Sequence, residues 1–181
     1  MDIFMPMSTT TRHNRIITAI LLKIANLFEE PDTRILHEEC SLVYWGKRTE
    51  PESLSLVDAE NTSHIKDIKH FQSSVIDDLL YVQPDFMMFR NNKYIENNRS
   101  TRTAGCPDLL IEIWSDGNTD QQTAFKKILY SSSNKTEHWY IEQDSNEVLC
   151  YLGERELPAQ SLLNVLKTTN GIEFDLRRMA L

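Results

Sequence analysis

The apolar residues near the start of the chain recur with helical spacing. Between residues 12 and 29, isoleucine, leucine and phenylalanine return every three or four positions and form a wide apolar stripe. Serine and threonine precede this stripe and can cap a helix N-terminus, whereas Pro31 follows it and stops a helix. We therefore predict a helix over residues 12–29 that packs on a sheet or on a partner subunit, after a flexible start at residues 1–11.

The region after this helix contains short runs of β-branched and aromatic residues, which are typical of strands. Residues 34–45 predict one or two strands, and residues 54–57 allow another. Residues 74–82 fit both strand and helix, and we interpret them as strand. A further strand is predicted over residues 86–89, because Pro84 lacks an amide donor and suits the beginning of a strand.

The centre of the chain predicts a strand–helix–strand unit. Residues 109–114 are nearly all apolar, which is typical of a strand buried on both faces. A capping turn at residues 116–119 leads into a helix over residues 120–130, and a strand over residues 138–142 follows. Such a unit has two parallel strands and a right-handed crossover. Residues 148–152 form the second arm of a hairpin, so we expect a mixed sheet.

The whole pattern indicates an α/β fold, or α+β by a stricter definition, in which the first helix and the crossover helix flank a mixed sheet. The last part of the chain predicts a short helix near residues 161–166 and an extended end at residues 172–176. A length of 181 residues favours one domain over residues 1–181.

The composition describes a folded soluble protein, with 40% hydrophobic and 25% charged residues. No apolar run reaches the roughly 20 residues that span a bilayer, and the start has no signal-peptide pattern. We therefore expect a cytoplasmic protein with no membrane partner. Cys40, Cys106 and Cys150 lie far apart and form no C-x-x-C pair, so they indicate neither a zinc site nor a disulfide framework.

The charge balance limits how the chain could bind nucleic acid. A net charge of −8 argues against a broad phosphate-binding surface, although a cation-binding acidic cluster contributes to this total. The polar segment 90–104 is long for a hairpin connection and indicates function or mobility. Its basic residues could contact DNA, although a solvated loop explains the same charges: Arg90, Lys93, Arg99 and Arg102.

Glu112 is the first indication of chemistry. Side chains alternate along a strand, so Glu112 shares one face of the strand with Asp108 and Trp114. A carboxylate in so apolar a strand is unfavourable to bury unless it is paired, protonated or bound to a metal. A neighbouring Lys or Arg would satisfy it equally well. Asp108 lies roughly 13 Å away along the strand, too far to share one ion with Glu112, and is interpreted as a strand-start or turn residue.

Asp85 is the better partner for Glu112. If residues 86–89 pair antiparallel with residues 109–114, one register places Asp85 opposite Glu112 and Phe89 opposite Asp108. Directly opposed residues face the same side of the sheet, with Cβ atoms about 5 Å apart. Two carboxylates placed in this way repel each other and create a site for a cation.

The crossover helix carries two lysines. Gln122, Lys126 and Tyr130 form one i, i+4 stripe. The core-facing side is expected to hold four apolar residues: Ala124, Phe125, Ile128 and Leu129. Lys126 lies at the edge of that side and could reach Glu112, whereas Lys127 lies further round. The alternative is that Lys126 is an ordinary solvent-exposed lysine that does not contact Glu112.

Several motifs occur together in a recognisable order. They are QPD at residues 83–85, PDLLIEIWS at residues 107–115, then Asp120, Lys126 and Tyr130, and EHWYIEQD at residues 137–144. This order resembles the Uma-two-type restriction endonuclease family of the PD-(D/E)XK nuclease superfamily, over residues 82–152. The resemblance implies a restriction-endonuclease-like fold and metal-dependent hydrolysis of DNA phosphodiester bonds.

The resemblance also implies residue roles. Asp85 and Glu112 would hold Mg²⁺ or Mn²⁺, and Lys126 would supply the catalytic positive charge. The superfamily usually places this lysine two residues after the glutamate, where this chain has Trp114, so the helix lysine takes its place. His13 fits an early helix of the family, but no role is assigned to it.

Parts of the chain and of the function stay open. Glu29 and Glu30 could supply a third acid, and residues 46–73 have no counterpart in the family pattern. The superfamily suggests a homodimer, and RNA or branched substrates would use the same site. The alternative function is a catalytically degenerate nuclease-fold protein that acts as a binding or assembly module. Calorimetry with Mg²⁺ or Mn²⁺ separates this module from an enzyme.

Overall fold

The structure is a computed structural model, and it describes nine stretches of the chain: residues 11–24, 34–37, 41–45, 55–56, 79–90, 94–96, 102–114, 118–142 and 144–177. Two helices lie in these stretches, α1 (Thr11–Ile24) and α2 (Asp120–Ser131). The strands of the first half are β1 (Arg34–His37), β2 (Ser41–Trp45), β3 (Ser55–Leu56), β4 (Leu79–Val82), β5 (Phe86–Phe89), β6 (Tyr94–Glu96) and β7 (Arg102–Gly105). Those of the second half are β8 (Leu109–Trp114), β9 (Glu137–Glu142), β10 (Glu147–Leu152), β11 (Arg155–Glu156), β12 (Gln160–Ser161), β13 (Val165–Lys167) and β14 (Glu173–Asp175).

The main sheet is mixed, as the sequence predicted. Its strand order is β1-β5-β8-β9-β10-β11, and β12 pairs with β10. Strand β8 is antiparallel to β5 and parallel to β9, with α2 between β8 and β9 along the chain. Strands β9 and β10 form the predicted antiparallel hairpin. The strand–helix–strand unit at the centre of the fold is therefore confirmed.

The two faces of this sheet carry separate apolar cores. On one face, residues of α1 such as Ile16 and Ile20 pack with Ile111 of β8 and Trp139 of β9. On the other face, Leu129 of α2 belongs to a second core. Its other members include Met87, Leu110 and Tyr140. Burial of each such side chain stabilises the fold by about 1.5–3 kcal/mol. The alternation along β8 thus places Glu112 on the face that α2 covers.

Helix α2 begins at an N-terminal capping box a few residues after the end of β8. The Thr119 hydroxyl accepts the Gln122 N–H, and the Gln122 side chain accepts the Thr119 N–H. This reciprocal capping box satisfies two donors that the helix would otherwise leave unpaired. It therefore fixes the start of α2 and, with it, the turn of the helix on which Lys126 lies.

The segment expected to be a long polar loop contains two strands instead. Strands β6 and β7 pair antiparallel, with Tyr94 opposite Gly105, and β7 runs parallel to β2 in a second sheet. The order of that sheet is β3-β2-β7-β6, and β4 pairs with β2. The prediction of a loop over residues 90–104 was wrong because pairing with β2, a distant strand, overrides the polar composition.

The predicted helix near residues 161–166 was also wrong. Strand β12, a turn and β13 occupy this region. Leu162 and Leu166 are both buried, and their spacing of four imitates a helical stripe. The Gln160 side chain accepts the Lys167 N–H at 2.7 Å and donates to the Lys167 carbonyl at 2.9 Å. These bonds hold the two arms together in place of a helix.

The other predicted elements match as far as they are described. Strand β14 supplies the extended end that was predicted for residues 172–176. Residues 25–29 of the predicted first helix and residues 74–78 of the predicted strand lie outside the described residues. No helix within the described ranges is long and apolar enough to cross a membrane.

Candidate active site

The first feature of the site is a pair of buried carboxylates on neighbouring strands. Strands β5 and β8 pair Phe86 with Ile111 and Met87 with Leu110. One further step along this register places Asp85 opposite Glu112, so the predicted register is confirmed. Asp85 is 6% exposed and Glu112 is 2% exposed. Two acids therefore lie side by side where the fold excludes most water.

The Asp85 carboxylate is held from two sides. Its Oδ2 accepts the Ile113 N–H at 2.7 Å, and its Oδ1 lies 3.2 Å from Nε2 of His13 on α1. The backbone pairing of β5 with β8 ends at Phe86, so the Asp85 side chain takes over the next hydrogen bond to β8. The carboxylate is therefore held between the backbone of β8 and His13 of α1.

The Glu112 carboxylate is held by α2. Lys126 Nζ lies 2.6 Å from Glu112 Oε2, and the Tyr130 hydroxyl donates to Glu112 Oε1. Lys126 also donates to the Gln83 carbonyl at 3.2 Å. The predicted reach of Lys126 to Glu112 is thus confirmed. An ion pair alone would satisfy a lone buried glutamate, so Asp85 is what distinguishes this site from a structural salt bridge.

The surroundings of Glu112 raise its pKa to about 7. Burial is the main cause and the negative charge of Asp85 adds to it, whereas Lys126 and the hydrogen bonds from Lys126 and Tyr130 lower the pKa. A carboxyl group whose pKa lies near neutrality beside a second acid is typical of functional sites. A cation between the two groups would relieve their repulsion and favour the ionised form of Glu112.

The orientation of α2 differs from the expected one. Ala124 is exposed and Ile128 is 41% exposed, although both were predicted to face the core. Leu129 and Tyr130 are buried, and Lys126 is half-buried. The helix turns its polar stripe inward because Lys126 and Tyr130 pair with a buried carboxylate, which apolar periodicity does not register. Sequence reasoning thus assigned Tyr130 no contact, although its spacing of four from Lys126 placed both on one stripe.

His13 is a second residue to which the sequence assigned no role. It is 5% exposed and lies on α1 beside Asp85. Its signal in the sequence was weak, because a histidine near a helix start carries no metal-ligand spacing of its own. Only the packing of α1 on the sheet brings it to Asp85, which lies far away in the chain.

Asp108 lies outside the site, as expected. Its carboxylate accepts the Arg90 N–H at 2.8 Å, and its own N–H donates to the Met88 carbonyl at 2.8 Å. These bonds join the start of β8 to the end of β5. Asp108 is therefore a strand-start residue.

The remaining candidates predicted from the sequence lie mostly outside the described residues. Lys93 and Arg99 of the basic segment are among them, as are Glu29 and Glu30. The side chain of Arg102 is likewise not described, and of residues 46–73 only β3 is described. DNA contact by the basic segment thus stays a prediction.

The residues of the site fit a hard divalent cation. Among the described parts of the chain, no group of three or more His, Cys, Asp or Glu side chains is placed to hold a metal ion. The donor set of Asp85 and Glu112 is nonetheless what Mg²⁺ commonly uses, since it keeps several waters and takes one or two carboxylates together with substrate phosphates. An ionised carboxylate offers about four lone-pair sites, so Lys126 and Tyr130 leave Glu112 with unused capacity.

A buried histidine lies next to the site on the α2 face. His138 Nε2 lies 2.9 Å from the Gly153 carbonyl, and its Nδ1 lies 3.0 Å from the Tyr140 hydroxyl. A carbonyl only accepts, so Nε2 carries the proton and Nδ1 accepts from Tyr140. Burial, with help from the positive charge of Lys127, lowers the pKa of His138 from 6.5 to about 4.

His138 makes the stability of the fold depend on pH. The unfolded chain takes up this proton at higher pH than the folded one, so stability falls as pH drops from 6.5 towards 4. The total loss is on the order of 3 kcal/mol. Urea unfolding of the wild type and His138→Gln at several pH values should show a stability difference that shrinks on acidification. Glu112 titrates in both proteins, so its contribution cancels in the difference between their free energies of unfolding. A difference that does not change with pH would contradict a neutral, buried His138.

The chain is similar to a protein family and to a solved structure. The chain matches a protein-family model described as "Uma2: Putative restriction endonuclease" over residues 2–179. It also resembles a crystal structure from Anabaena variabilis ATCC 29413, described as a putative nuclease belonging to DUF820, with a TM-score of 0.59 and 13% identity. That alignment covers 98% of this chain and 86% of the other, and at this identity it shows a shared fold. No curated protein matches the sequence.

Proposed function

We propose that this chain, which belongs to the Uma2 family of putative restriction endonucleases, is a metal-dependent endonuclease that hydrolyses phosphodiester bonds of DNA. Asp85 and Glu112 would hold Mg²⁺ or Mn²⁺, and Lys126 would act beside them. The observation that carries this proposal is the pair of buried carboxylates on adjacent strands, with a lysine ammonium 2.6 Å from one of them.

We assign each residue of the site a role from its position and contacts. Asp85 and Glu112 lie opposite each other at the β5–β8 pairing and would each supply carboxylate oxygens to one metal ion. When bound there, the metal ion supplies a Lewis acid that polarises a phosphate oxygen and lowers the pKa of bound water. Lys126 orients the attacking water or offsets negative charge that develops on the phosphate.

Two further residues would keep this geometry in place. Tyr130 donates to one oxygen of Glu112 and leaves the other to Lys126, so it fixes the rotation of the carboxylate. His13, on α1, constrains Asp85. Partners of ligands commonly orient them in this way, and their loss typically lowers metal affinity or activity 10- to 100-fold.

Metal removal tests the proposal. Supercoiled plasmid should be nicked in the presence of Mg²⁺ or Mn²⁺, and EDTA should abolish the nicking, because the two carboxylates alone cannot activate water. Glu112→Gln, purified in the same way, controls for a contaminating nuclease and should leave the plasmid intact. Equal nicking with EDTA, or by the Glu112→Gln protein, would contradict the proposal.

The same assay separates the alternative functions. Labelled RNA in place of plasmid reports whether the same site prefers RNA. Calorimetry with Mn²⁺ reports whether the wild type binds metal at millimolar concentration. A wild type that binds no metal and cleaves nothing would favour the binding or assembly module. The oligomeric state, which the superfamily suggests is a homodimer, is accessible from light scattering of the same sample.

A further inference from the structure

Lys127 occupies a cup of aromatic rings next to the site. Its Nζ lies 4.8 Å from the ring centroid of Trp114, 5.4 Å from that of Tyr140 and 5.9 Å from that of Tyr151. Trp114 and Tyr140 also pack on each other, with ring centroids 4.5 Å apart. The negative faces of the rings attract the ammonium group and hold it in place.

Lys127 and Lys126 differ in their partners. Lys126 pairs with Glu112 at 2.6 Å. Within the described part of the chain, none of the ion pairs includes Lys127. Aromatic rings position a cation without cancelling its charge, so Lys127 keeps a full positive charge at a fixed point. A preorganised cation of this kind loses little freedom when it binds an anion.

The aromatic cup lies close to Glu112 on the same face of the sheet. Trp114 follows Glu112 by two residues on the same face of β8, a distance of about 7 Å along the strand. Tyr140 lies opposite Glu112 on β9. Trp114, Tyr151 and Lys127 are half-buried, so part of the cup faces solvent. A strand of nucleic acid with one phosphate at Glu112 would therefore pass close to Lys127.

We propose that Lys127, held over Trp114, Tyr140 and Tyr151, binds a backbone phosphate of the nucleic-acid strand next to the phosphodiester that is cleaved. This inference rests on the proposed function, because it assigns a contact to the nucleic-acid substrate. The chemistry recognised is a phosphodiester anion, and the exposed ring surface of Trp114 and Tyr151 packs against the adjoining sugar or base. A contact of this kind supplies affinity in a chain with a net charge of −8.

Salt-dependent binding tests this contact without cleavage. A fluorescein-labelled oligonucleotide is titrated with protein in EDTA, and anisotropy gives the association constant at several salt concentrations. Lys127→Met keeps the aliphatic stem on the rings but removes the charge. It should weaken binding several-fold at low salt and reduce the slope of log K against log salt by about 0.7–0.9, the value of one phosphate contact. Lys127→Arg keeps the charge and the ring contacts, so it should retain the wild-type slope.

Lys167→Met is the matched control, because Lys167 is an exposed lysine on β13 that pairs with Glu173. It should leave the slope unchanged. The proposal is wrong if Lys127→Met keeps the wild-type slope, if Lys167→Met lowers the slope equally, or if the wild type does not bind the oligonucleotide. If Lys127→Met lowers the slope but the wild type cleaves nothing, the contact is supported and the nuclease function is contradicted. If the wild type cleaves but Lys127→Met keeps the wild-type slope, the nuclease function is supported and the contact is contradicted.

Discussion

Replacement of Asp85 by Asn should abolish metal-dependent cleavage while leaving the protein folded. The amide keeps the shape of the side chain, and its oxygen can still accept the Ile113 N–H. It removes one negative charge from the proposed cation site, and a metal ion stabilises the transition state by several kcal/mol, so cleavage should fall at least about a thousandfold. Glu112→Gln should have the same effect. The loss of activity is measured as the nicking rate at saturating Mg²⁺, and circular dichroism checks that the variants are folded.

Asp108→Asn is the matched control for this prediction. It makes the same chemical change at an aspartate that bonds the same pair of strands but lies outside the site. It should cleave at close to the wild-type rate. Full activity in Asp85→Asn, or an equal loss in Asp108→Asn, would contradict the assignment of Asp85 to the metal.

Replacement of Lys126 by Met should impair both stability and cleavage. Without the ammonium group, the buried Glu112 stays next to Asp85 with no positive charge at bonding distance, and its pKa rises above its present value of about 7. The folded variant then holds a proton that the unfolded chain has released. Its stability relative to wild type therefore falls increasingly as pH rises above 7, by on the order of 3 kcal/mol. Cleavage should fall roughly a hundredfold or more.

Urea unfolding between neutral and mildly alkaline pH measures the stability part. Glu112→Gln combined with Lys126→Met removes the titrating group, so the pH dependence should disappear in the double variant. Lys167→Met controls for the loss of a lysine from an exposed pair, which contributes at most about 1 kcal/mol. A Lys126→Met protein with wild-type stability at all pH values would show that the ion pair is not buried as described.

The sequence contained enough information for the centre of the site. Pro84 marks the start of β5, the apolar run marks β8, and one antiparallel register places two acids opposite each other. Strand periodicity thus allowed Asp85 to be proposed as the partner of Glu112, and the structure has that register. The same local signals determined the βαβ unit, because its elements are adjacent in the chain and need no distant partner.

Contacts between distant segments could not be predicted from the sequence. The approach of His13 to Asp85 depends on how α1 packs across the sheet, and no local pattern specifies that crossing. The inward turn of Lys126 and Tyr130 depends on a buried partner, Glu112, that apolar periodicity ignores. Strand β7 pairs with the distant strand β2, and β6 pairs with β7, so a polar segment forms part of a sheet. Each error arose where tertiary pairing overrides local preference.

The claim that Asp85 and Glu112 bind one metal ion can be tested most directly in crystals soaked in Mn²⁺. Anomalous difference density should appear between the two carboxylates, with the ion roughly 2 Å from an oxygen of each. It should be absent from crystals of Glu112→Gln soaked in the same way. Density that touches neither carboxylate, or no density at a Mn²⁺ concentration that supports cleavage, would contradict the account.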